Sequence, residues 1–261
     1  AFLDSFSRPR AVALRLNPMK TQAPPDLSGF SLRPVPWEPC GFYYDPETRP
    51  GKSAYHEAGL YYLQEASAMA PAALLDPQPG ERVLDLCAAP GGKSTQLAGK
   101  MRGRGLLVCN EINPKRAKIL ASNIERLGIA NALVLNEHPQ RLETRFAGWF
   151  DKILVDAPCS GEGMFRKEEA AVTDWSEETV LMCARRQAEI LHSASVMLRP
   201  GGRLVYTPCT FALEENEASV SAFLRAHPDF SVEETFAPWF SPGRPDWISD
   251  PMPGLEKTFR L

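Results

Sequence analysis

The stretch RVLDLCAAPGGKSTQLAGKM, residues 82–101, decides the fold that the sequence predicts. It begins with an apolar run typical of a buried strand, and this run is followed by a loop of small residues. The small residues of the loop are Ala88, Ala89, Gly91 and Gly92. They let a ligand approach the backbone closely, and the N–H groups at the start of the next helix bind a carboxylate well. We therefore predict a strand, a ligand-binding loop and a helix.

Apolar runs alternate with helical segments along the rest of the chain. Further strands are predicted at residues 105–111, 132–137, 150–157, 201–207 and 230–236. Helices are predicted at residues 59–75, 92–101, 113–128, 176–198 and 213–227. The third of these helices has the clearest end signals, with Asn113 as its cap, Pro114 in its first turn and Gly128 after its end. This alternation predicts an α/β fold with a doubly wound, mostly parallel sheet that is covered on both faces.

Residues 1–56 differ from the rest of the chain in composition. They contain nine prolines and three glycines, a density that excludes long helices. The segment VALRLN, residues 12–17, is the best strand candidate within them. Leucines and aromatic residues are more frequent here than in a disordered linker. We therefore predict two domains, a small N-terminal α/β appendage at residues 1–56 and a larger domain at residues 57–261.

The composition limits the compartment and the metal chemistry that we expect. The first residues lack the apolar stretch of a signal peptide, and no apolar run reaches the length of about 18 residues that a membrane span needs. We therefore expect a cytoplasmic protein without membrane contact. The six cysteines include no C-x-x-C pair, and the four histidines include no His-x-x-x-His pair. No metal site is expected on these spacings.

The charge pattern disfavours a nucleic-acid partner only mildly. The formal net charge is -3, whereas an RNA-binding protein usually carries a basic footprint. Local clusters of basic residues are nevertheless present, and they comprise Arg8, Arg10, Arg15, Arg166, Lys167, Arg185 and Arg186. These clusters leave an RNA partner open.

Polar residues gather where the predicted strands end, and a doubly wound sheet binds its ligands at that edge. The loop at 85–94 lacks the G-x-G-x-x-G pattern of dinucleotide sites and the upstream glycine of a P-loop. Glu111 ends the next strand about 20 residues on, where it suits two ribose hydroxyls. A nucleoside with an amino-acid end fits this combination, so we predict S-adenosylmethionine (SAM). The alternative is a tight turn with satisfied acids at the strand ends.

Two Pro-Cys pairs follow later strands, in DAPCSG at residues 156–161 and in YTPCTF at residues 206–211. The motifs DLCAAPGGKSTQLA, DAPCSGEGMFRK and LRPGGRLVYTPCTFALEENE, in this order and spacing, resemble the RNA cytosine-C5 methyltransferases of the NOL1/NOP2/Sun family. Within that family they are most similar to the bacterial branch that acts on 16S ribosomal RNA. The segments LRLNPMK and PGKSAYHEAGLYYLQEASAM also resemble that branch. The resemblance covers nearly the whole chain.

The resemblance implies roles for particular residues. Cys209 would be the nucleophile that adds to C6 of cytosine, Cys159 would promote release of the product, and Asp156 would bind the cytosine edge and contribute to the cofactor site. Glu111 would bind the ribose of SAM. The loop residues implied to line the methionine part of SAM are Cys87, Ala88, Ala89, Pro90, Gly91, Gly92 and Lys93.

Two departures from the family pattern leave alternatives open. The nucleophile usually follows Thr directly, whereas here Pro208 precedes Cys209. In one alternative the roles of Cys159 and Cys209 are therefore exchanged, and in another one of the two is merely packed. Many members carry an Asp after the third strand for the adenine amino group. This chain has Asn-Glu-His there, and we place Glu137 in that role, with Asn136 and His138 as alternatives.

The resemblance therefore predicts a SAM-dependent enzyme that methylates C5 of cytosine in 16S ribosomal RNA. Its partner is ribosomal RNA or the small ribosomal subunit, residues 1–56 bind RNA, and the enzyme is a monomer. The alternatives are the same chemistry on transfer RNA, a SAM-binding assembly factor without catalysis, and a nucleotide-binding oxidoreductase. A basic RNA-binding segment is expected to follow residue 261.

Overall fold

The computed structural model describes residues 10–20, 26–167 and 169–261. The chain divides into two compact units. One contains Ala11–Asp156 and Val196–Val205, and the other contains, among the described residues, Arg10, Ala157–Ser195 and Tyr206–Leu261. No helix among the described residues has both the length and the apolar character that crossing a membrane requires.

The first unit begins with a four-stranded antiparallel sheet. Its strands are β1 (Ala13–Leu16), β2 (Arg33–Val35), β3 (Glu38–Tyr43) and β4 (Tyr61–Leu63). They are ordered β2-β3-β1-β4 and pair antiparallel throughout. The strand predicted at residues 12–17 is thus confirmed as β1.

The helix predicted at residues 59–75 is wrong over its first half. The chain instead forms α1 (Ala54–Glu57), then β4, and only then α2 (Ala66–Leu75). Gly59 has a φ of +70°, which ends the helical turn, and Tyr61 is fully buried as β4 pairs with β1. Residues 61–63 form a strand because they pair with the edge of β1. The local apolar pattern of 59–65 does not reveal this pairing.

The first unit also holds the central five-stranded sheet. Its strands are β5 (Arg82–Asp85), β6 (Leu106–Asn110), β7 (Ala132–Leu135), β8 (Phe150–Asp156) and β9 (Leu198–Thr207, whose last two residues fall in the second unit). The helices between the first four of them are α3 (Gly92–Met101), α4 (Pro114–Arg126) and α5 (Pro139–Phe146). The order is β7-β6-β5-β8-β9, and β5 runs parallel to both of its neighbours. The predicted α/β fold with a mostly parallel sheet is confirmed.

The strand order places a topological switch point between β5 and β8. The chain moves outward from β5 through β6 to β7, and then returns to the other side of β5 with β8. In open α/β sheets the ligand crevice lies at such a point, outside the carboxyl ends of the strands. The loop after β5 and Asp156 at the end of β8 both lie at this edge.

The predicted end signals of α4 are confirmed. The Asn113 side chain accepts hydrogen bonds from the backbone N–H groups of Lys115 and Arg116, at 2.9 and 3.2 Å. Pro114 occupies the first turn, and Gly128 follows the helix with a φ of +71°. The cap satisfies N–H groups that have no partner within the helix, so α4 begins at a defined residue.

The core of the central sheet packs the helices on the strands. Fully buried side chains include Val83 on β5, Leu97 on α3, Leu107 on β6 and Leu120 on α4. Parallel strands are buried on both faces and therefore read as continuous apolar runs. This property made the strand positions predictable.

Strand β1 is buried on both faces, and a charge lies on one of them. Leu14 packs with Leu27 and Tyr61 on one face, whereas Ala13 packs with Met69 and Val35 on the other. Arg15 shares the face of Ala13, because successive side chains alternate across a strand. It is 1% exposed.

Hydrogen bonds to α3 and its neighbours hold the buried guanidinium of Arg15. Nε donates to Gln64 Oε1 at 2.8 Å, and Nη2 donates to Thr95 Oγ1 at 2.7 Å and to the Gly92 carbonyl at 3.1 Å. Burial lowers the pKa of Arg15 to about 10, opposed by the charge of Glu38. The side chain therefore remains charged at neutral pH and ties β1 to the beginning of α3.

The second unit contains fewer regular elements. Its helices and short strands are α6 (Glu169–Thr173), α7 (Glu177–Met197, whose last two residues fall in the first unit), α8 (Glu217–Ala226), β10 (Ser241–Pro242) and β11 (Phe259–Arg260). The predicted sixth strand at residues 230–236 is wrong. No described strand pairs with this segment, and Phe236 is 86% exposed. An alternating apolar pattern forms a strand only where a neighbour accepts its backbone hydrogen bonds.

We expect replacement of Arg15 by Met to lower the free energy of unfolding by about 3 kcal/mol. The apolar side chain fills similar space but removes the donor to Gln64 Oε1 and Thr95 Oγ1 and leaves the Gly92 carbonyl with the Thr95 hydroxyl alone among its side-chain donors. Urea unfolding followed by tryptophan fluorescence measures the change. The matched control is Arg104→Met, at an exposed position, which we expect to change stability by less than about 0.5 kcal/mol. Equal losses for the two variants would contradict this role of Arg15.

Candidate cofactor and cysteine sites

The loop between β5 and α3 is held by its neighbours in the first unit. The Ala88 N–H donates to the Asn110 carbonyl at 2.8 Å. Arg116 Nη2 donates to the Ala89 carbonyl at 2.7 Å, and Asn123 Nδ2 donates to the Pro90 carbonyl at 2.9 Å. Strand β6 and helix α4 therefore fix the backbone of the loop before any ligand binds.

The two glycines of the loop occupy crowded positions. Gly91 has a φ of +110°, and a Cβ there would lie 3.1 Å from Leu120 Cδ1. A Cβ on Gly92 would lie 3.2 Å from Tyr62 Cε1. Gly91 precedes α3 without a side-chain cap. The first N–H groups of this ten-residue helix thus receive no hydrogen bond from a capping side chain, and such groups bind carboxylates.

Three carboxylates act on the thiol of Cys87. Burial is the main cause that raises its pKa above the usual range, and the charges of Asp85, Asp156 and Glu111 raise it further. Cys87 therefore stays a neutral thiol at physiological pH. The same three carboxyl groups gather at the carboxyl ends of the strands.

Glu111 follows the end of β6 as predicted, and its carboxylate is oriented by local contacts. It is 3% exposed. Its Oε1 accepts from the Asn113 N–H at 2.8 Å, and its Oε2 lies 3.5 Å from Arg116 Nη1. The Asn136 side chain donates to the Glu111 carbonyl at 2.6 Å. These contacts hold the carboxylate in one orientation at the edge of the sheet.

The three candidates after β7 differ in what their side chains contact. Asn136 is engaged with the backbone, since it also donates to the Ile112 carbonyl at 2.9 Å. The Glu137 carboxylate lies 3.3 Å from Arg141 Nη1, while its backbone N–H donates to Asn110. His138 is exposed and precedes α5 without a side-chain capping bond. Asn136 thus supports the Glu111 backbone, and the assignment of Glu137 to the adenine stays a prediction.

Lys93 and Asp156 form an ion pair at the switch point. Lys93 Nζ lies 2.6 Å from Asp156 Oδ2, and the side chain of Asp156 is 32% exposed. Sequence reasoning assigned the two residues separate tasks and did not foresee their contact. Short charge-assisted bonds of this kind orient a carboxylate strongly. The pair therefore holds Asp156 in place while leaving part of its carboxylate accessible.

Asp85 is a buried acid that sequence reasoning did not assign to the site. It is fully buried, Oδ2 accepts from Ser94 Oγ at 2.6 Å, and Oδ1 has no hydrogen-bond partner among the described atoms. Burial raises its pKa to about 7, with Asp156 adding to the rise and with Ser94 and Lys93 opposing it. The signal in the sequence was an acid at the end of an apolar strand.

The second unit brings the two Pro-Cys cysteines into contact. Cys159 Sγ lies 2.8 Å from Cys209 Sγ, and the Cys209 N–H donates to Cys159 Sγ at 3.2 Å. Cys209 is exposed and Cys159 is partly buried. The hydrogen bond with Cys209 is the main cause that raises the pKa of Cys159, and burial adds to it. Cys159 is therefore the thiol that keeps its proton.

Glu215 supports the loop that carries Cys159. This fully buried carboxylate accepts from the Ser160 N–H at 3.1 Å and from Gln187 Nε2 at 2.6 Å. Gln187 also donates to the Pro158 carbonyl at 3.0 Å. The residues on both sides of Cys159 are thus held, and sequence reasoning missed both Glu215 and Gln187.

Glu162 joins the Cys159 loop to the Cys209 loop. Its Oε2 accepts from Thr210 Oγ1 at 3.0 Å and from the Phe211 N–H at 2.7 Å. The Gly163 N–H donates to the Cys209 carbonyl at 2.9 Å, and a Cβ on Gly163 would lie only 3.0 Å from that oxygen. The two loops are therefore locked together by backbone and carboxylate contacts, which fix the distance between the sulfurs.

The structure changes the reading of one basic cluster. Arg15 is buried in the first unit and is removed from any RNA surface, while Arg8 lies outside the described residues. Among the residues that the structure describes, no group of three or more His, Cys, Asp or Glu side chains is placed to hold a metal ion.

The strand order, the small-residue loop after β5 and the acids at the strand ends define the fold of the SAM-dependent methyltransferases. A solved structure titled as a methyltransferase homolog protein from Pyrococcus horikoshii is 30% identical, with a TM-score of 0.80 over 97% of this chain and 82% of its own. The chain belongs to the 16S rRNA methyltransferase RsmB/F family, which it matches over residues 72–243. Residues 1–66 match the N-terminal domain of 16S rRNA methyltransferase RsmF.

Individual relatives agree with this family. The ribosomal RNA small subunit methyltransferase F of Salmonella paratyphi B is 43% identical over 228 residues, which cover 83% of this chain and 48% of the relative. The chain thus spans about half the length of the curated relatives that it matches. NSun6 from P. horikoshii, solved with SFG, shares the fold, with a TM-score of 0.81 and 22% identity over 92% of this chain and 86% of its own. The resemblance to the bacterial branch of the NOL1/NOP2/Sun family is confirmed.

Replacement of Asp85 by Asn is expected to change how stability depends on pH. The pKa of Asp85 rises from 3.8 to about 7 on folding, so the folded chain binds its proton more tightly. This contribution to stability is complete below about pH 4 and is lost as the pH rises through about 7. The variant is neutral at every pH, so its free energy of unfolding, relative to the parent, rises between about pH 4 and 7 and is constant above.

Urea unfolding at a series of pH values measures this difference. The matched control is Asp174→Asn, at an exposed position, for which we expect no such rise. A difference between Asp85→Asn and the parent that does not depend on pH would show that Asp85 is ionised in the folded chain and would refute the prediction.

Proposed function

We propose that this protein transfers a methyl group from SAM to C5 of a cytosine in 16S ribosomal RNA, through a covalent adduct between Cys209 and C6 of the base. The observation that carries the proposal is the contact between the sulfurs of Cys159 and Cys209, 2.8 Å apart, in a chain of the RsmB/F family. A purely structural role does not require two thiols in contact on loops that are each fixed by a carboxylate. The pair also favours an enzyme over an assembly factor without catalysis.

The loop and the strand-end acids are suited to hold SAM. The amino-acid carboxylate of SAM would meet the N–H groups at the start of α3, and the ribose hydroxyls would meet Glu111. The carboxylates of Glu111 and Asp156 at this edge favour the positive charges of the sulfonium and the ammonium group. NSun6, which shares the fold, was solved with SFG, a SAM analogue. SAM supplies the electrophilic methyl group when it is bound.

The chemistry of cytosine explains why a thiolate is needed. C5 of cytosine is a poor nucleophile, and addition of a thiolate to C6 makes the ring enamine-like, so that C5 attacks a methyl group. The C5 proton must then leave, and the bond between sulfur and C6 must break. One sulfur begins this sequence, and a second proton-carrying group near it assists the final elimination.

The surroundings of the two sulfurs favour Cys209 as the nucleophile. The pKa of Cys159 is raised chiefly by its hydrogen bond with Cys209, and burial adds to the rise, so Cys159 stays protonated at neutral pH. A thiolate is the reactive form of cysteine. Cys209 is also the more exposed of the two. This arrangement supports the order of roles implied by the family resemblance over the exchanged order.

Asp156 would bind the edge of the cytosine and favour protonation at N3 as the thiolate adds. The ion pair with Lys93 orients one of its oxygens, and the other remains open to a partner. The target base must leave its helix to reach the thiol, at a cost of a few kcal/mol that is smallest in an unpaired site. Residues 1–56 and the basic pair Arg166–Lys167 would contribute RNA contacts, of which phosphate contacts position the substrate without reading its sequence.

The Glu111→Gln variant is expected to bind SAM about tenfold to a hundredfold more weakly, since a hydrogen bond to a charged group contributes about 1.5–3 kcal/mol. Glutamine keeps the acceptor for the Asn113 N–H, so the fold is preserved. Isothermal titration with SAM measures the affinity. The matched control, Glu125→Gln on the exposed side of α4, should bind as the parent does. Unchanged affinity in Glu111→Gln would remove Glu111 from the cofactor site.

Replacement of each cysteine by alanine tests the mechanism. With SAM and 16S ribosomal RNA, Cys159→Ala is expected to accumulate a covalent protein–RNA adduct on a denaturing gel, because addition proceeds and release fails. Cys209→Ala is expected to form no adduct and to lose methyl transfer by at least about a thousandfold. The reverse pattern would exchange the two roles.

The control for this experiment is Cys183→Ala, a buried cysteine outside the pair, which should form the transient adduct of the parent only. Bisulfite sequencing of the RNA locates the methylated base. Methylation at any atom other than cytosine C5, in the parent protein, would overturn the proposed chemistry.

A further inference from the structure

Methyl transfer by a single nucleophilic cysteine does not require a second sulfur as close to it as the one in this pair. Their separation of 2.8 Å is within 1 Å of a covalent S–S bond, which is about 2.05 Å long. Neither cysteine is in a disulfide. The backbone hydrogen bond from the Cys209 N–H to Cys159 Sγ shows that the two loops already bring the residues to bonding range.

The loops that carry the pair are fixed independently of the sulfurs. Glu215 holds Ser160, next to Cys159, and Glu162 holds Thr210 and Phe211, next to Cys209. A bond between two thiols that are already placed by their surroundings costs little backbone movement. The exposed position of Cys209 gives a small oxidant access to one of them.

We propose that Cys159 and Cys209 form a reversible disulfide on reaction with a hydroperoxide, and that this bond is a redox switch of the protein. The loss of methyl transfer on oxidation rests on the function proposed above, whereas formation of the disulfide does not. The bond removes both the nucleophile and its partner, so the oxidised chain holds neither thiol that the reaction needs.

The chemistry balances in two steps. The Cys209 thiolate attacks one oxygen of hydrogen peroxide, which breaks the O–O bond and gives a sulfenic acid and hydroxide. The Cys159 thiol then attacks the Cys209 sulfur, the S–O bond breaks, and one water leaves as the disulfide forms. Peroxide takes up the two electrons that the sulfurs lose. A dithiol reverses the bond by thiol–disulfide exchange.

The position of Cys159 also prevents further oxidation of Cys209 to sulfinic acid. A sulfenic acid without a nearby thiol is oxidised further to sulfinic acid, which a dithiol does not reduce. A second thiol in contact captures the sulfenic acid first. The pair therefore places Cys159 as a resolving cysteine, and we expect recovery of activity after oxidation rather than permanent loss.

Peptide mass spectrometry on the purified full chain tests the disulfide directly. The protein is treated with hydrogen peroxide, alkylated, and digested with trypsin without reduction. The expected product joins peptides 153–166 and 204–225, with the loss of two hydrogens, and it disappears after treatment with dithiothreitol. Of the six cysteines, four remain available for alkylation after unfolding. Absence of this cross-linked peptide, or a cross-link of Cys209 to another cysteine, would overturn the proposal.

Two variants sharpen the result. Cys183→Ser keeps the pair and should give the same cross-linked peptide. Cys159→Ser lacks the resolving thiol and should give peptide 204–225 with sulfinic acid at Cys209. If Cys159→Ser fails to fold, the parent and Cys183→Ser still decide whether the disulfide forms. Sulfinic acid at Cys209 in the parent, in place of the disulfide, would refute the resolving role of Cys159.

Methyl transfer measured in parallel separates this proposal from the proposed function. We expect oxidation to lower the rate at least tenfold and dithiothreitol to restore it in the parent. A disulfide that forms without any loss of an existing activity would overturn the switch. A disulfide that forms in a chain without cytosine methylation before oxidation would confirm the redox chemistry and remove the proposed function instead.

Discussion

The buried guanidinium of Arg15 is the constraint on which the first unit depends. A charge without access to water is stable only if hydrogen bonds replace its hydration, and Arg15 finds its acceptors on Gln64, Thr95 and the carbonyl of Gly92. Gly92 begins helix α3, so the strand that holds Arg15 also holds the end of the loop. The N-terminal sheet is thereby part of the support of the candidate cofactor site.

The acids at the strand ends, like Arg15, need partners or a shifted pKa because they are buried or partly buried. Asp85, Glu111 and Asp156 lie at one edge of a parallel sheet, because parallel strands bring their carboxyl ends together. Each acid is stabilised in a different way. Asp156 pairs with Lys93, Glu111 accepts from the start of α4, and Asp85 has its pKa raised to about 7. A cationic ligand would relieve the repulsion that remains among them.

The cysteine pair depends on two carboxylates that hold its loops. Glu215 and Glu162 fix the loops on which Cys159 and Cys209 lie, and both accept backbone N–H groups next to the sulfurs. Two thiols in contact influence each other, and the contact with Cys209 is the main cause that raises the pKa of Cys159. The closeness on which the proposed acid and nucleophile roles depend also supports a bond between the sulfurs under oxidation.

Local patterns in the sequence determined the parts of the fold whose cause is local. The apolar run and small-residue loop of residues 82–101 specify a strand, a turn and a helix, and Asn113 with Pro114 specifies the start of α4, because backbone sterics and capping act within a few residues. The tertiary structure alone decided that residues 61–63 pair with β1, that residues 230–236 form no strand, that Arg15 is buried, and that Glu215 supports Cys159. Each of these depends on partners distant along the chain, and the free energy of a strand, a buried charge or a hydrogen-bonded carboxylate is set by the partner it meets.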